Sequence, residues 1–187
     1  MPGEPHKYVS RSAEKLLATL DAFDIDVRGY ICADLGCNVG GFTQVLVERG
    51  AERVYAVDTG YGALDYTLRK NPRVVAMERT NALHVTLPET CDLVTIDVAW
   101  TRQKHILPAA ARLLKADGRI ITLVKPHYEA PAQWLRKGVL LAERRDEVVE
   151  TVRTDVRTLG LRILGAVDSP LPGQSGNVEQ LWLVRRD

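Results

Sequence analysis

The sequence predicts an α/β fold with a doubly wound, mostly parallel sheet of seven strands, the final strand being antiparallel. Short apolar runs alternate with amphipathic helical stretches along the chain. These runs are apolar throughout, as in strands buried on both faces. The first run leads into a glycine-rich turn that opens a helix. The 187 residues, 45% hydrophobic and 26% charged, suit one soluble domain with a sizeable core.

The elements follow in order along the chain. We predict strands at 30–35, 53–58, 73–77, 92–97, 119–124, 161–167 and 178–184 and helices at 11–23, 41–50, 63–70, 101–115 and 142–159. The pair Asp117-Gly118 should turn the chain into the fifth strand, and residues 126–139 should form a long, irregular connection. The last two strands should pair antiparallel. We treat residues 1–187 as a single domain in which residues 1–29 are an N-terminal helical extension.

Composition excludes several kinds of protein. No apolar run approaches the roughly 20 residues that span a bilayer, and the polar N-terminus does not resemble a signal peptide. We therefore expect a cytoplasmic protein without a membrane partner. Cys32, Cys37 and Cys91 match no zinc spacing, and Cys32 and Cys91, which lie in or beside predicted strands, are expected to be buried free thiols. The four histidines are scattered, so we assign no metal. The net charge of +1 argues neither for nor against nucleic acid.

The glycine-rich turn is the candidate cofactor site, although Asn38 interrupts the dinucleotide-binding pattern of glycines. Asp34 ends the first strand, where it would repel a pyrophosphate but would suit a cationic amine or sulfonium. Asp58 ends the second strand, where a carboxylate can accept from both ribose hydroxyls. Together these features indicate S-adenosylmethionine rather than NAD. Asn81 either reads the adenine edge or is a turn residue. The predicted cofactor contacts are Asp34, Gly36, Asn38, Gly40, Gly41, Phe42, Asp58, Asn81 and Asp97.

Four charged residues lie in four separate segments that should converge at one edge of the sheet: Lys15, Asp97, Lys125 and Glu179. Ionisable groups at the ends of buried strands are costly unless they are paired. A cluster of lysines and carboxylates above a cofactor is one way to activate a weak hydroxyl nucleophile. We therefore predict that these four residues form the catalytic site.

Several motifs resemble the FtsJ-type ribose methyltransferases, most closely the haemolysin-like TlyA branch, which methylates ribosomal RNA. The resemblance covers nearly the whole chain in order, and its motifs are residues 8–16, 34–42, 57–62, 78–82, 95–98, 124–126 and 176–179. It implies a Rossmann-like class I methyltransferase fold and a Lys–Asp–Lys–Glu tetrad that maps onto the four residues above. The chain departs from the branch at Ser12-Ala13, where two glycines are usual, and in the loop 99–102. The branch also usually carries a small N-terminal RNA-binding domain, which these 187 residues lack.

Methylation of a ribose 2′-hydroxyl requires the loss of its proton as the oxygen attacks the sulfonium methyl. A lysine can accept this proton only if burial or a second cation lowers its pKa. We assign Lys125 as the base, Asp97 as the group that orients it, Lys15 as a holder of ribose or phosphate and Glu179 as a carboxylate that positions one of the lysines. The sequence leaves open whether Lys15 or Lys125 is the base.

RNA, and in particular ribosomal RNA or a ribosomal particle, is the predicted partner, with a partner protein or a missing RNA-binding domain supplying further contacts. The candidate phosphate contacts are Lys7, Arg11, Arg79, Arg102, Lys104, His127, Arg136 and Lys137, and the candidate stacking aromatics are Tyr8, Tyr61, Trp100, Tyr128 and Trp134. Two alternatives stay open: a cofactor-binding, RNA-associated module that is inactive alone, and a methyltransferase of small molecules.

Overall fold

The computed structural model describes residues 7–187. Its strands are β1 (Ile31–Leu35), β2 (Arg53–Val57), β3 (Val74–Met77), β4 (Cys91–Ile96), β5 (Leu114–Val124), β6 (Leu135–Arg136), β7 (Val139–Leu140), β8 (Leu161–Asp168) and β9 (Gln180–Arg186). Its α-helices are α1 (Ser12–Ala22), α2 (Gly41–Glu48), α3 (Tyr66–Arg69), α4 (Gln103–Arg112), α5 (Pro126–Glu129) and α6 (Arg145–Thr158). Short 3-10 turns lie at Ala132–Trp134, Ala142–Arg144 and Gln174–Gly176.

Seven of these strands form one sheet in the order β3-β2-β1-β4-β5-β9-β8. The first five are parallel to one another, whereas β9 runs antiparallel to both of its neighbours. The predicted fold class, a mostly parallel sheet of seven strands closed by an antiparallel one, is therefore confirmed. The strand order reverses between β1 and β4, and ligands of such sheets bind at this point, outside the carboxyl ends of the strands.

Strand β1 lies at the centre of the sheet, and each of its five residues is buried. Ile31, Ala33 and Leu35 pack into a core that includes residues of α4 and α6, while Cys32 faces the other side and packs with α1 and α2. Because successive side chains point to opposite faces, a strand covered on both faces is apolar along most of its length. This burial explains the uninterrupted apolar runs of the sequence.

Helix α1 packs against α2 and contributes Leu16 and Leu20 to the core on that face of the sheet. The contact is close at Gly41, the first residue of α2, because a Cβ atom there would overlap the hydroxyl of Ser12. The N-terminal helix is thus packed directly against α2, the helix that follows the glycine-rich turn. Within the described part of the chain, no helix is long and apolar enough to cross a membrane.

Three local predictions are wrong. Helix α3 has only four residues, because the Asp65 carboxylate caps its start by accepting from the Thr67 amide at 2.8 Å. The predicted turn at Asp117-Gly118 lies inside β5, where the register with β4 is irregular. The connection 126–139 is not irregular, since it contains α5, a 3-10 turn and most of the hairpin of β6 and β7.

Candidate active site

A pocket of about 530 Å³ opens at the carboxyl ends of β1, β2 and β4, where the strand order reverses. Its wall includes the end of β1, the glycine-rich turn, the end of β2 and the loops after β3 and β4. Seven of the nine predicted cofactor contacts line it: Asp34, Gly36, Asn38, Phe42, Asp58, Asn81 and Asp97. Gly40 and Gly41 are not among the lining residues, and both lie behind the wall.

Each glycine of the turn allows a different part of the protein to pack closely against it. Gly36 has φ +84°, and a Cβ atom there would lie 2.6 Å from the backbone oxygen of Asp97. Gly40 has φ +103° and leaves room for the Leu68 side chain, while Gly41 leaves room for Ser12. Gly36 therefore lets the ends of β1 and β4 meet at the pocket, and the other two let helices pack behind it.

Asp34 is fully buried at the end of β1 and lines the pocket. Its carboxylate accepts hydrogen bonds from the hydroxyls of Thr43, at 2.7 Å, and Thr95, at 3.1 Å. Burial raises the pKa of Asp34 to about 7, although the hydrogen bonds from Thr43 and Thr95 act to lower it. A cation placed in the pocket would therefore meet a carboxyl group that is poised to ionise near neutral pH.

Asp58 and Asn81 line the pocket, and the side chains of both accept hydrogen bonds from backbone amides. The two carboxylate oxygens of Asp58 accept from the amides of Asn38, at 2.9 Å, and Gly60, at 2.7 Å. Since each oxygen has more than one lone pair, Asp58 can still accept from a ribose. The side-chain oxygen of Asn81 accepts from the Leu83 amide at 2.9 Å, which is the turn role left open by the sequence.

A second pocket of about 280 Å³ adjoins the first and contains all four predicted catalytic residues. Lys15 comes from α1, Asp97 follows β4, Lys125 follows β5 and Glu179 precedes β9. The rest of the wall is formed by Arg11, Ser12, Tyr128 and residues 171–173. Three residues, Ser12, Asp97 and Lys125, line both pockets, so this is where a donor in one pocket and an acceptor in the other would meet.

The four charges form two ion pairs. The Lys15 ammonium donates to Glu179 Oε2 at 2.5 Å, and the Lys125 ammonium contacts Asp97 Oδ1 at 2.7 Å. Lys125 also donates to the backbone oxygen of Val98 at 3.1 Å. Glu179 is only 3% exposed, and the absence of a side chain at Gly173 leaves the space that its carboxylate occupies. The lysine that Glu179 contacts is therefore Lys15.

The helix after β5 places aromatic rings beside the second pocket. The Tyr128 ring lies 4.8 Å from that of Trp100, which is 82% exposed, and 4.2 Å from that of His127. His127 is buried, which lowers its pKa, and its Nδ1 has no hydrogen-bond partner within residues 7–187. His127 is thus a buried neutral group rather than the exposed phosphate contact that we expected.

The remaining predicted RNA contacts are distributed around the molecule. Arg11 is exposed and lines the second pocket, and Arg102 and Lys104 are exposed near the start of α4. The Arg79 guanidinium lies 4.1 Å from the centre of the Tyr61 ring, beyond the end of β3. Other cation–aromatic contacts join Lys7 to Tyr8 and Arg144 to Trp134. Arg136 and Lys137 lie exposed at the tip of the hairpin of β6 and β7.

Sequence reasoning missed several residues of the site. Ser10 and Ser12 line the first pocket, and Thr43 and Thr95 hold Asp34. Serine and threonine are common in loops and strands, so nothing in the sequence distinguished them; a hydroxyl at Ser12, in a motif that usually has glycine, was the one available signal. No group of three or more His, Cys, Asp or Glu side chains within residues 7–187 could hold a metal ion.

Comparison with known sequences assigns the chain to a family. The sequence model of the FtsJ-like methyltransferases matches residues 8–186. The 16S/23S rRNA (cytidine-2'-O)-methyltransferase TlyA of Mycobacterium tuberculosis is 43% identical over 183 residues, which cover 94% of this chain and 68% of that relative. The 23S rRNA (cytidine-2'-O)-methyltransferase TlyA of Campylobacter jejuni is 32% identical over 181 residues, which cover 94% of this chain and 70% of that relative.

Solved structures agree with this assignment. A structure from Streptococcus thermophilus, named as a hemolysin, superimposes with a TM-score of 0.93 at 34% identity and covers 99% of this chain and 70% of its own. A structure from Listeria monocytogenes, named as an S-adenosylmethionine-dependent methyltransferase, superimposes with a TM-score of 0.69 at 18% identity. The match covers 95% of this chain and 100% of the other, and it shows the shared fold alone. The chain therefore belongs to the FtsJ-like methyltransferase family.

Proposed function

We propose that the protein transfers the methyl group of S-adenosylmethionine to a ribose 2′-hydroxyl of RNA, and that this RNA is ribosomal. The observation that carries the proposal is the shared wall of the two pockets, where Lys125 and Asp97 face both a cofactor site and a second, cationic site. The names of the M. tuberculosis and C. jejuni relatives support the same acceptor. We also propose that residues 1–187 form a single domain.

The residues of the first pocket fit S-adenosylmethionine. Asp34 supplies a carboxyl group for the cationic end of the cofactor, and Asp58 can accept from its ribose hydroxyls. Asn38 and Phe42 complete the wall, and the Asn81 amide nitrogen remains available as a donor, because only its oxygen is used in the turn. When bound, the cofactor supplies an electrophilic methyl group on sulfur.

Lys125 is the residue best placed to take the hydroxyl proton. Its Nζ directs two bonds to protein oxygens, those of Asp97 and Val98. The ammonium must first release one proton to solvent; the neutral amine then has two N–H groups and one lone pair, so donation to these two oxygens would leave the lone pair free to accept the proton of the hydroxyl. Asp97 would hold this orientation and balance the charge that Lys125 acquires.

Lys15 and Glu179 also line the second pocket. Lys15 would hold the ribose or the adjacent phosphate, and Glu179 would fix the Lys15 side chain through their ion pair. The exposed Trp100 ring and Arg11 at the rim offer stacking and phosphate contacts, which suit a polynucleotide better than a small molecule. Positioning should contribute much of the rate, because methyl transfer needs a near-linear approach.

Transfer of a tritiated methyl group tests the function directly. The protein is incubated with labelled S-adenosylmethionine and one of three acceptors. These are ribosomal particles or naked ribosomal RNA, both from cells that lack the protein, and short synthetic oligonucleotides. We expect label in ribosomal RNA, strongest with particles, because the near-neutral chain should bind naked RNA weakly and with strong salt dependence.

Alkaline hydrolysis of the labelled RNA identifies the methylated atom. Cleavage by alkali requires a free 2′-hydroxyl, so label on this oxygen must remain in an alkali-resistant dinucleotide. Label in mononucleotides would instead indicate base methylation and contradict the proposal. Robust, site-selective labelling of short oligonucleotides at physiological salt would contradict the expected need for a particle or a partner protein.

The Asp34 carboxyl predicts how cofactor affinity depends on pH. Its pKa is raised to about 7 in the free protein, and a bound cation favours the carboxylate. Below pH 7 a proton must therefore leave when the cofactor binds, so affinity should rise up to about tenfold per unit as pH increases from about 5.5 to 7 and then level off. Calorimetry in buffers of different ionisation enthalpy measures both affinity and proton release.

Asp34→Asn is the matched control for this pH dependence. The amide keeps the size of the side chain and can still accept from Thr43, but it cannot ionise. The variant should bind the cofactor more weakly at pH 7, and its affinity should not vary over this range. If the wild-type affinity is independent of pH, Asp34 does not contact the cationic end of the cofactor.

A further inference from the structure

Asn177 lies between the hairpin of β6 and β7 and the wall of the second pocket, and the proposed mechanism does not link these two parts of the molecule. Its side-chain oxygen accepts from the Leu140 amide at 3.1 Å, and its side-chain nitrogen donates to the Gly138 oxygen at 3.0 Å. Asn177 is only 4% exposed. One buried amide therefore binds both the turn and the second strand of the hairpin formed by β6 and β7.

The tip of this hairpin is cationic. Lys137 and Gly138 both have positive φ, +49° and +80°, as in the two-residue turns that match the twist of a hairpin. The tip exposes Arg136 and Lys137, and within residues 7–187 neither makes an ion pair. The stem is closed by the Leu141 amide, which donates to the Trp134 oxygen at 3.0 Å. The structure thus presents two exposed cations, unpaired within the described part of the chain, on a short, hydrogen-bonded support.

The segment that carries Asn177 also forms a wall of the second pocket. The Gly173 amide donates to the backbone oxygen of Asn177 at 2.8 Å, and the Ser169 amide donates to the backbone oxygen of Glu179 at 2.9 Å. Residues 171–173 and Glu179 line the pocket, and Glu179 is paired with Lys15. Only Val178 separates Asn177 from this catalytic carboxylate, so a displacement of the hairpin would be transmitted to the ion pair.

We propose that Asn177 is a positioning residue that joins a basic, RNA-contacting hairpin to the wall of the second pocket, so that RNA phosphates bound at Arg136 and Lys137 set the position of the reacting ribose relative to Lys15 and Glu179. This inference rests on the proposed function, since it requires an RNA acceptor. The exposed cations supply the phosphate contacts, and the two hydrogen bonds of Asn177 keep a fixed distance between those contacts and the ion pair.

The double variant Arg136→Gln/Lys137→Gln tests the contact. The RNA concentration for half-maximal methylation should rise about tenfold, and the slope of log affinity against log salt should fall by about 1 to 2, as for the loss of one or two phosphate contacts. Turnover at saturating RNA should also fall, because the ribose is no longer held in position beside Lys15 and Glu179, whereas affinity for S-adenosylmethionine should stay near wild type. The control is Arg162→Gln/Arg185→Gln, which removes two exposed cations that are paired in register between β8 and β9 and that line neither pocket, and it should change none of these values.

A double-mutant cycle with Asn177→Ala tests the coupling. This variant should raise the half-maximal RNA concentration and also lower turnover, because the hairpin and the ion pair are no longer held together. Neutralising the tip should then have a smaller effect in the Asn177→Ala background than in the wild type. Affinity for S-adenosylmethionine is measured in parallel to show that each variant is folded.

Several outcomes would overturn the inference while leaving the function intact. If wild type methylates RNA but the tip variant behaves like the Arg162/Arg185 control, the hairpin does not contact RNA. If the effects of the tip and of Asn177→Ala are additive, Asn177 does not couple them. If Asn177→Ala fails to bind the cofactor, the tip variant and its control still decide the contact. Absence of RNA methylation by the wild type would instead refute the proposed function.

Discussion

Replacing Lys125 with methionine should lower the single-turnover methylation rate about a hundredfold or more, the usual contribution of a positioned proton-transfer group. Methionine keeps much of the stem volume and removes the nitrogen that contacts Asp97 and the Val98 oxygen. Cofactor affinity should change little, because Lys125 is one of many residues that line the first pocket. The measurement is single-turnover methyl transfer at saturating cofactor over a series of pH values.

Strands β4 and β5, whose carboxyl ends precede Asp97 and Lys125, also provide a matched control. Lys115 pairs with Asp92 at 2.7 Å, the same distance as the Lys125–Asp97 pair, but at the opposite ends of β4 and β5. Lys115→Met therefore removes a comparable ion pair without touching either pocket, and its rate should match wild type. If Lys125→Met kept the wild-type rate while Lys15→Met abolished it, the roles of the two lysines would be exchanged. If neither mattered, the four charges would be a structural network.

Asp97→Asn should also lower the single-turnover rate by about two orders of magnitude, since Asp97 lines both pockets and is the carboxylate that faces Lys125. An amide can still accept one hydrogen bond, but it cannot balance the charge that Lys125 acquires when it takes the proton. Rate and cofactor affinity should be measured together, because Asp97 borders the cofactor as well.

Asp92→Asn is the corresponding control for Asp97→Asn. Asp92 accepts from the Ile31 amide at 2.8 Å as well as from Lys115, and an amide oxygen preserves the first of these contacts. We expect a wild-type methylation rate and at most a modest change in thermal stability. An equal loss of rate in both variants would mean that Asp97 supports the sheet rather than the chemistry.

Much of the sheet could be predicted from the sequence, because strands buried on both faces are largely apolar. The strands 53–58 and 119–124 were placed within one residue of β2 and of the carboxyl end of β5. The hairpin of β6 and β7 could not be predicted in this way, since two-residue strands have no measurable periodicity. Its Lys137-Gly138 turn also lacks the Asn-Gly or Asp-Gly pair that usually marks such turns.

The sequence could predict that Lys15, Asp97, Lys125 and Glu179 lie together, but it could not predict which of them form contacts. Parallel strands bring the residues after β4 and β5 to one edge, which places Asp97 beside Lys125. The pairing of Lys15 with Glu179 joins residues 164 positions apart and depends on how α1 packs against α2, for which the sequence gives no direct signal. The two threonines that hold Asp34 were hidden for the same reason, since β4 and α2 meet at Asp34 only in the folded chain.

The position of Ser12 should couple the binding affinities of the two substrates. Ser12 begins the helix that carries Lys15, packs over Gly41 at the end of the glycine-rich turn and borders both pockets. We expect a ligand that orders this turn to order the start of α1 as well, so that the second ligand loses less conformational entropy when it binds. Binding linkage is reciprocal: the donor should tighten the acceptor by the same factor by which the acceptor tightens the donor. Departure of the methylated RNA would then loosen the hold on the spent donor and speed its exchange.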